Sequence, residues 1–241
     1  MDNTQLKYMK HWDSYWRGIE LGGPQVRVLW ETDPERSAWE DMQRFSPHFN
    51  PELPLLDLGC GSGRQTRFLA RHFQKVIGVD VSPTVVARAQ QAAAQLDNID
   101  FRVLNALIVE KARTIHREFG DMNVYMRGVF HVIYESDRPA FVSCLETLLG
   151  RLGTLYQIEL TTAALTYVRS IPHDGSFKFP RAVQPIGFDN ASDRARYYPD
   201  ERWALIDEGD NVPLHTITLE TGEEGEVPSN YLILRRKSED S

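Results

Sequence analysis

The sequence predicts an α/β fold: one mostly parallel β-sheet with helices on both of its faces. Between residues 53 and 160, short apolar runs alternate with longer segments of helical periodicity, which is typical of repeated β-α-β units. Near the end of the chain, HTITLE (215–220) and YLILRR (231–236) flank a polar turn. These two runs predict a pair of antiparallel strands.

Five apolar runs predict the strands of the parallel part of the sheet. In chain order they are LPLLDL (53–58), KVIGVD (75–80), IDFRVL (99–104), MNVYMRGVF (122–130) and GTLYQIEL (153–160). Each run is followed by a helix or a loop, so that consecutive strands can lie parallel with a helix packed across the sheet between them.

The helices between these strands are indicated by their first residues, their last residues and the spacing of apolar side chains. Ser82 is the predicted N-cap of a helix in SPTVVARAQQAAAQL (82–96). Residues 108–119 have apolar side chains at every third or fourth position. Asp137 is the predicted N-cap of a third helix, which ends at Gly150. We assign the apolar faces of these helices to the core.

Two segments fall outside the alternating pattern. Residues 1–50 are rich in Trp, Tyr and Phe, and Asp33-Pro34-Glu35 predicts the start of a helix. Residues 161–199 contain several prolines and little periodicity, which is typical of a functional loop. We therefore divide the chain into a helical segment, 1–50, and a domain, 51–241, with an irregular substrate insert around 161–199.

The charge balance argues against a nucleic-acid partner. The 27 Lys and Arg against 34 Asp and Glu give a net charge of −7, which would repel a phosphate backbone. RRK (235–237) is interpreted as a solvated chain end. No signal peptide or apolar stretch of about 18 residues occurs, and two cysteines do not form a disulfide framework. The sequence therefore predicts a cytoplasmic protein with no membrane partner and no metal site.

A glycine-rich turn follows the first predicted strand. In DLGCGSG (57–63) the glycines fall at every second residue, whereas the dinucleotide-binding pattern G-x-G-x-x-G requires a glycine where Arg64 stands. Asp57 would repel the phosphates of a dinucleotide but would attract a cationic ligand. Asp80 ends the second strand 21 residues after Gly59, a spacing that brings an acidic side chain beside such a turn. Its carboxylate oxygens can accept hydrogen bonds from two neighbouring hydroxyls.

DLGCGSG (57–63) and VIGVD (76–80) resemble the first two motifs of class I S-adenosylmethionine-dependent methyltransferases. The resemblance covers about residues 53–160 and continues in the closing pair of strands. It implies a Rossmann-like, seven-stranded, mostly parallel sheet with an antiparallel terminal hairpin, and S-adenosylmethionine as the cofactor. In this family the glycine turn lets the backbone approach the cofactor, and the acid at the position of Asp80 accepts both ribose hydroxyls.

The resemblance extends to contacts after the third and fourth strands. Asn105 stands where family members often have an acid facing the adenine; a turn asparagine is the alternative. Arg127 could hold a carboxylate of the cofactor or the substrate, or form a surface ion pair. The predicted cofactor-binding residues are Asp57, Gly59, Cys60, Gly61, Gly63, Asp80, Val81, Asn105, Ala106, Leu107, Arg127 and Gly128. WDSYW (12–16) resembles the lid that covers the cofactor in many family members, although core packing is the more ordinary role of such rings.

His131, just after the fourth strand, is the predicted catalytic base for an acceptor that must lose a proton, because histidine titrates near neutrality. The alternative is a histidine at the start of a helix, bonded to backbone. His173, within the insert, is the second candidate, and an exposed loop histidine is its ordinary interpretation.

The sequence thus favours a methyltransferase that acts on oxygen, nitrogen or carbon of a small-molecule acceptor in secondary metabolism. One alternative is a protein that binds S-adenosylmethionine without transferring its methyl group, because function depends on the site and not on the fold. Another is a nicotinamide-dependent oxidoreductase, which Arg64 disfavours. The sequence leaves the oligomeric state open.

Overall fold

The computed structural model describes residues 3–21, 28, 30–170, 187–218 and 224–237. Its strands are β1 (Leu55–Leu58), β2 (Val76–Asp80), β3 (Ile99–Val103), β4 (Asn123–Arg127), β5 (Thr154–Leu160), β6 (Trp203–Thr218) and β7 (Glu224–Arg236). Its helices are α1 (Asn3–Leu21), α2 (Pro34–Phe45), α3 (Arg64–Leu69), α4 (Pro83–Ala92), α5 (Val109–Phe119), α6 (Arg138–Leu149), α7 (Thr162–Ser170) and α8 (Asn190–Tyr197).

The seven strands form one sheet in the order β3-β2-β1-β4-β5-β7-β6. The first five strands are parallel, and β7 lies antiparallel between β5 and β6. This arrangement confirms the predicted fold class. Because β1 lies between β2 and β4, the connections from β1 and β4 diverge, and a crevice forms at the carboxyl ends of the central strands.

Apolar side chains are buried on both faces of the sheet. One cluster packs β1, β2 and β4 against α5 and α6, and a second packs the opposite face against α2 and α3. All four residues of β1 are buried, as expected for a central parallel strand with both faces covered. No helix in the described part of the chain has the length and apolarity of a membrane span.

The helix caps agree with the sequence, with one difference. The side chain of Ser82 accepts from the Val85 N–H, and that of Asp33 accepts from the Glu35 N–H. Asp137 occupies the N-cap position of α6 but makes no side-chain cap hydrogen bond. Its Oδ2 accepts the Tyr8 hydroxyl at 3.0 Å, a contact with α1.

The secondary structure differs from the prediction in two segments, residues 161–199 and the terminal strands. Part of the predicted irregular segment is helical, since α7 and α8 fall within 161–199 and α8 starts with an N-cap contact from Asp189 to Ser192. The terminal strands are longer than the two apolar runs, and residues 224–230 of the predicted turn belong to β7. Register shifts in the β6–β7 pair interrupt the two-residue alternation, which hides these strands in the sequence. Residues 171–186, with His173, lie outside the described residues.

Candidate active site

A cavity lies at the carboxyl ends of β1, β2 and β4, beneath α1. Eleven of the twelve predicted cofactor-binding residues line it, and so does His131. The eleven are Asp57, Gly59, Cys60, Gly61, Asp80, Val81, Asn105, Ala106, Leu107, Arg127 and Gly128. The fold therefore brings together, around one cavity, residues that are up to 71 positions apart in the chain, from Asp57 to Gly128.

The three glycines of the turn have different surroundings. All three have positive φ angles, between +51° and +81°, which side chains rarely adopt. A Cβ on Gly59 would lie 2.4 Å from Val129, and one on Gly63 would lie 2.7 Å from Phe101. Gly61 faces the cavity, with the Trp16 indole 3.3 Å from its Cβ position. The cavity does not include Gly63, where glycine is needed for the turn and for packing against β3.

Two carboxyl groups line the cavity beside the turn, that of Asp57, which is buried, and that of Asp80, which is partly exposed. Asp80 accepts the N–H groups of Gly61 at 3.2 Å and Ser82 at 2.9 Å, and Asp57 accepts the Thr66 hydroxyl at 2.6 Å. Burial raises the pKa of Asp80 to about 6. Burial, together with the nearby charge of Asp80, raises the pKa of Asp57 to about 7. A bound cation would relieve this cost, because an opposite charge stabilises the ionised carboxylates.

Glu31 is a third acidic residue at this cavity, and sequence reasoning missed it. Among the described residues its Oε1 is buried without a hydrogen-bond partner, and its neighbours in the lining include Trp12, Trp16 and Trp30. A buried, unpartnered carboxylate oxygen requires a donor. The three acids and the aromatic rings thus fit a ligand with a cationic part, since π faces attract cations as well. No local sequence pattern marks Glu31, because it lies between α1 and α2.

Asn105 has the turn contact that was its alternative interpretation. Its Oδ1 accepts the Leu107 N–H at 3.1 Å, which holds the loop after β3 in an Asx-type turn. Leu107 is buried and lines the cavity together with Val81. These two apolar side chains are suited to the faces of a flat ring.

Helix α1 closes one side of the cavity and is attached at two points. Asp13 accepts from the Ser82 hydroxyl and the Thr84 N–H, both at 3.0 Å. Tyr8 donates to Asp137 and accepts from the Tyr134 N–H at 2.8 Å. The helix is therefore fixed both beside the Asp80 turn and at the start of α6.

Arg127 forms a largely buried ion pair with Asp41, which differs from the surface ion pair that was one of its two interpretations. Its guanidinium lies 2.5 Å from Asp41 of α2, and the Asp41 side chain is 1% exposed. The same carboxylate accepts the hydroxyls of Tyr125 at 2.9 Å and Tyr156 at 2.8 Å. Asp41 also pairs with Arg44 at 3.2 Å, so its one negative charge is shared between Arg127, at the cavity wall, and Arg44.

His131 is held by Glu159 of β5. Its Nδ1 lies 2.7 Å from the Glu159 carboxylate, which also accepts the N–H groups of Val129, Phe130 and His131. The predicted alternative was a histidine whose ring is bonded to backbone, and it is wrong. The imidazole ring contacts the Glu159 carboxylate, and the backbone N–H of His131 donates to the same carboxylate. Glu159 is fully buried at the end of β5, where an acid within an apolar strand was a signal that could have been noticed.

Fold and cavity together define an α/β protein with an acidic, aromatic-lined cavity at the carboxyl ends of its central parallel strands. A family model described as a methyltransferase domain matches residues 55–153. The crystal structure of an S-adenosylmethionine-dependent methyltransferase from Anabaena variabilis has a TM-score of 0.83 and 31% identity, over 98% of this chain and 96% of that one. The chain belongs to the class I S-adenosylmethionine-dependent methyltransferases, and S-adenosylmethionine is its cofactor.

Two curated relatives are more distant. The ubiquinone biosynthesis O-methyltransferase of Brucella ovis is 27% identical over 71% of this chain and 73% of its own. The trans-aconitate 2-methyltransferase of Deinococcus radiodurans is 30% identical over half of this chain, and the match spans only 40% of that protein. With family membership established, the nicotinamide-dependent alternative is set aside.

Proposed function

We propose that this enzyme methylates a small-molecule acceptor as a tailoring step of secondary metabolism. The observation that carries the proposal is the cavity itself: it extends from the glycine turn to His131, it is lined mainly by apolar and aromatic side chains, and α1 covers it. A cavity that α1 covers on one side suits a small molecule, whereas a nucleic-acid acceptor requires an open, basic groove. The two curated relatives, which are named for methylation of small molecules, support the same substrate class.

In this proposal the cavity residues divide the task of holding the cofactor. Asp80 accepts the ribose hydroxyls, Val81 and Leu107 enclose the adenine, and Asp57 and Glu31 face the cationic methionine end. When bound, S-adenosylmethionine supplies a methyl group on a positively charged sulfur, so that the protein has to align the acceptor and exclude water. Trp12 and Trp16 on α1 exclude water from the side opposite the sheet.

The test is methyl transfer from methyl-labelled S-adenosylmethionine to a panel of small phenols, carboxylic acids and amines, with bulk tRNA and a protein extract as polymeric acceptors. We expect label only in small products. Asp80→Asn should abolish this transfer at limiting cofactor, whereas Asp100→Asn, in a partly exposed ion-pair cluster on β3, should not. Label in tRNA or protein alone would contradict the small-molecule proposal. Saturable cofactor binding without any transfer would favour a protein that only binds the cofactor.

A further inference from the structure

We propose that Glu159 is a positioning residue for His131, and that this pair selects a hydroxyl acceptor, a phenol or an enol, from which His131 removes the proton. The inference deepens the proposed function and rests on it. Three observations support it: the ring nitrogen of His131 that faces Glu159, the hydrogen bonding of the other ring nitrogen, and the charges of the side chains that line the cavity.

Glu159 is held so firmly that it determines the orientation of the imidazole. Its Oε1 accepts from Val129 N at 3.1 Å and Phe130 N at 2.7 Å, and its Oε2 accepts from His131 N at 3.2 Å. The side chain is 0% exposed. Both oxygens of Glu159 are thus already acceptors of backbone N–H groups, so the carboxylate faces the imidazole as an acceptor.

The proton of a neutral His131 ring must therefore lie on Nδ1, which is 2.7 Å from Glu159 Oε2. The lone pair is then on Nε2. In the described part of the chain Nε2 has no hydrogen-bond partner, and it is not closed off from solvent. Since His131 lines the cavity, Nε2 is the ring nitrogen left for a ligand. A carboxylate that fixes the tautomer in this way also stabilises the imidazolium that forms when Nε2 takes up a proton.

The reaction that uses this geometry is proton removal coupled to attack by oxygen. The O–H bond of the acceptor breaks, and its proton moves to Nε2 of His131. The acceptor oxygen forms the new O–CH3 bond, and the electron pair of the broken S–CH3 bond remains on sulfur. The products are a methyl ether and S-adenosylhomocysteine, and His131 then releases its proton to water.

The charges at the cavity wall favour a neutral hydroxyl over a carboxylate. A carboxylate acceptor is already ionised, so it has no use for a base and would gain most from an uncompensated cation. Arg127, the described guanidinium in the lining, shares the Asp41 carboxylate with Arg44. The carboxyl groups of Glu31, Asp57 and Asp80 line the same cavity and would repel a carboxylate acceptor. A neutral amine, such as an aryl amine, attacks through its own lone pair and sheds its proton afterwards, whereas an alkylammonium must first lose a proton. Among acceptors that carry no charge at neutral pH, a phenol or an enol is the class that needs the His131–Glu159 pair before the methyl group moves.

The first test measures the tautomer directly and needs no acceptor. Protein labelled with 15N-histidine is saturated with S-adenosylhomocysteine, two-bond 15N–1H spectra are recorded at about pH 8, and His131 is assigned by His131→Gln. We expect the proton of His131 on Nδ1 and none on Nε2. His116 is an internal reference for the other tautomer, with the proton on Nε2, since its Nε2 lies 2.8 Å from Asp121. A His131 ring with its proton on Nε2 would overturn the proposal, whether or not an acceptor is found.

The second test separates proton removal from a structural role by acceptor acidity. His131→Gln should lower transfer to phenols that are protonated at the assay pH by about 10²–10⁴-fold, but should change transfer to nitrophenols that are already ionised by less than about tenfold. Glu159→Gln should show the same selectivity with a smaller loss. The double variant should be no slower than His131→Gln alone, because both residues act through one step.

The control for the second test is His116→Gln, which removes a histidine–carboxylate pair outside the cavity and should leave both acceptor classes unaffected. Equal losses with protonated and ionised phenols in His131→Gln would show a structural role and overturn the inference. A wild-type enzyme that methylates only amines or carboxylates would overturn it as well, while the proposed function would stand. Transfer to polymers alone would contradict the proposed function.

Discussion

Asp13 of α1 accepts a hydrogen bond from the hydroxyl of Ser82, at 3.0 Å, and thereby joins the N-terminal helix to the N-cap of α4. Ser82 follows Asp80 by two residues, so the helix that covers the cavity is attached beside the carboxylate assigned to the ribose. Burial alone would raise the pKa of Asp13, but hydrogen bonds from Thr84 and Ser82 and the charge of Arg17 lower it overall.

The first prediction concerns this attachment. Asp13→Ala should weaken S-adenosylhomocysteine binding by about tenfold, because a charged hydrogen bond of this kind contributes about 1.5–3 kcal/mol. Cleavage by a protease within residues 3–21 should become faster, while the unfolding midpoint of the domain changes little. Glu20→Gln, an exposed change on the same helix, is the matched control. Unchanged affinity measured by calorimetry would show that α1 does not support the cofactor.

The second prediction is a pH dependence in two directions. Unfolded aspartates have a pKa near ~3.9, and the folded values are about 7 for Asp57 and about 6 for Asp80. At pH values between the unfolded pKa and the folded pKa, Asp57 and Asp80 hold more protons in the folded chain than in the unfolded chain. These two groups therefore make the free energy of unfolding of the free protein fall as the pH rises through this window.

Cofactor affinity should follow the opposite trend, because a cationic ligand prefers the ionised carboxylates. The dissociation constant of S-adenosylmethionine, measured by calorimetry, should decrease severalfold between about pH 5.5 and about pH 8. Asp57→Asn should flatten both trends, since it removes the group with the higher pKa. A pH-independent dissociation constant for the wild type would contradict the assignment of Asp57 to the cationic end.

The third prediction compares two glycines of the same turn. Gly63→Ala should lower the free energy of unfolding by about 2–4 kcal/mol, since left-handed strain adds to overpacking against Phe101. Gly61→Ala should cost only about 1–2 kcal/mol but should impair cofactor binding more, because Gly61 faces the cavity. Urea denaturation and calorimetry measure the two effects. Phe101→Leu should recover part of the stability lost in Gly63→Ala, and no recovery would mean that packing is not the cause.

The fourth prediction concerns the buried pair of Asp41 and Arg127. Asp41→Asn should reduce the free energy of unfolding by about 3–5 kcal/mol, because it removes the carboxylate that Arg127 and Arg44 share. Glu35→Gln breaks an ion pair on the same helix in which both side chains are more than half exposed, and it should cost at most about 1 kcal/mol. The double variant Asp41→Asn/Arg127→Met should recover part of the lost stability, since only Arg44 then lacks its counter-charge, and no recovery would contradict the charge argument.

The parts of this enzyme that sequence alone predicts share a local cause. The alternation of strands and helices, the Ser82 cap and the glycine turn each depend on residues a few positions apart. Asp80 could be assigned because β2 is adjacent to β1 in the sheet, as the β-α-β connection requires. The closing antiparallel strands could also be predicted, because they are consecutive in the chain and a short turn joins them. Irregular pairing concealed their length.

Other features depend on contacts between residues that are far apart in the chain. Asp41 meets Arg127 across 86 positions, and Ser82 meets Asp13 across 69. Neither aspartate carries a local signal for its partner, since an acid on an amphipathic helix is most often solvated. Glu31 is similar: only the folded cavity shows that one of its oxygens is buried without a donor.

By itself, the sequence determined the α/β fold and the position of the glycine turn, because periodicity and motif spacing act over short distances. The cofactor class came from the resemblance of DLGCGSG (57–63) and VIGVD (76–80) to the motifs of a known family. Tertiary structure alone decided what surrounds the acceptor: the charge balance at Arg127, the cover by α1 and the partner of His131. His131 was visible as a titratable residue after β4, but its orientation depends on Glu159, 28 positions away on a neighbouring strand. Sheet pairing, and not local pattern, brings the two side chains together.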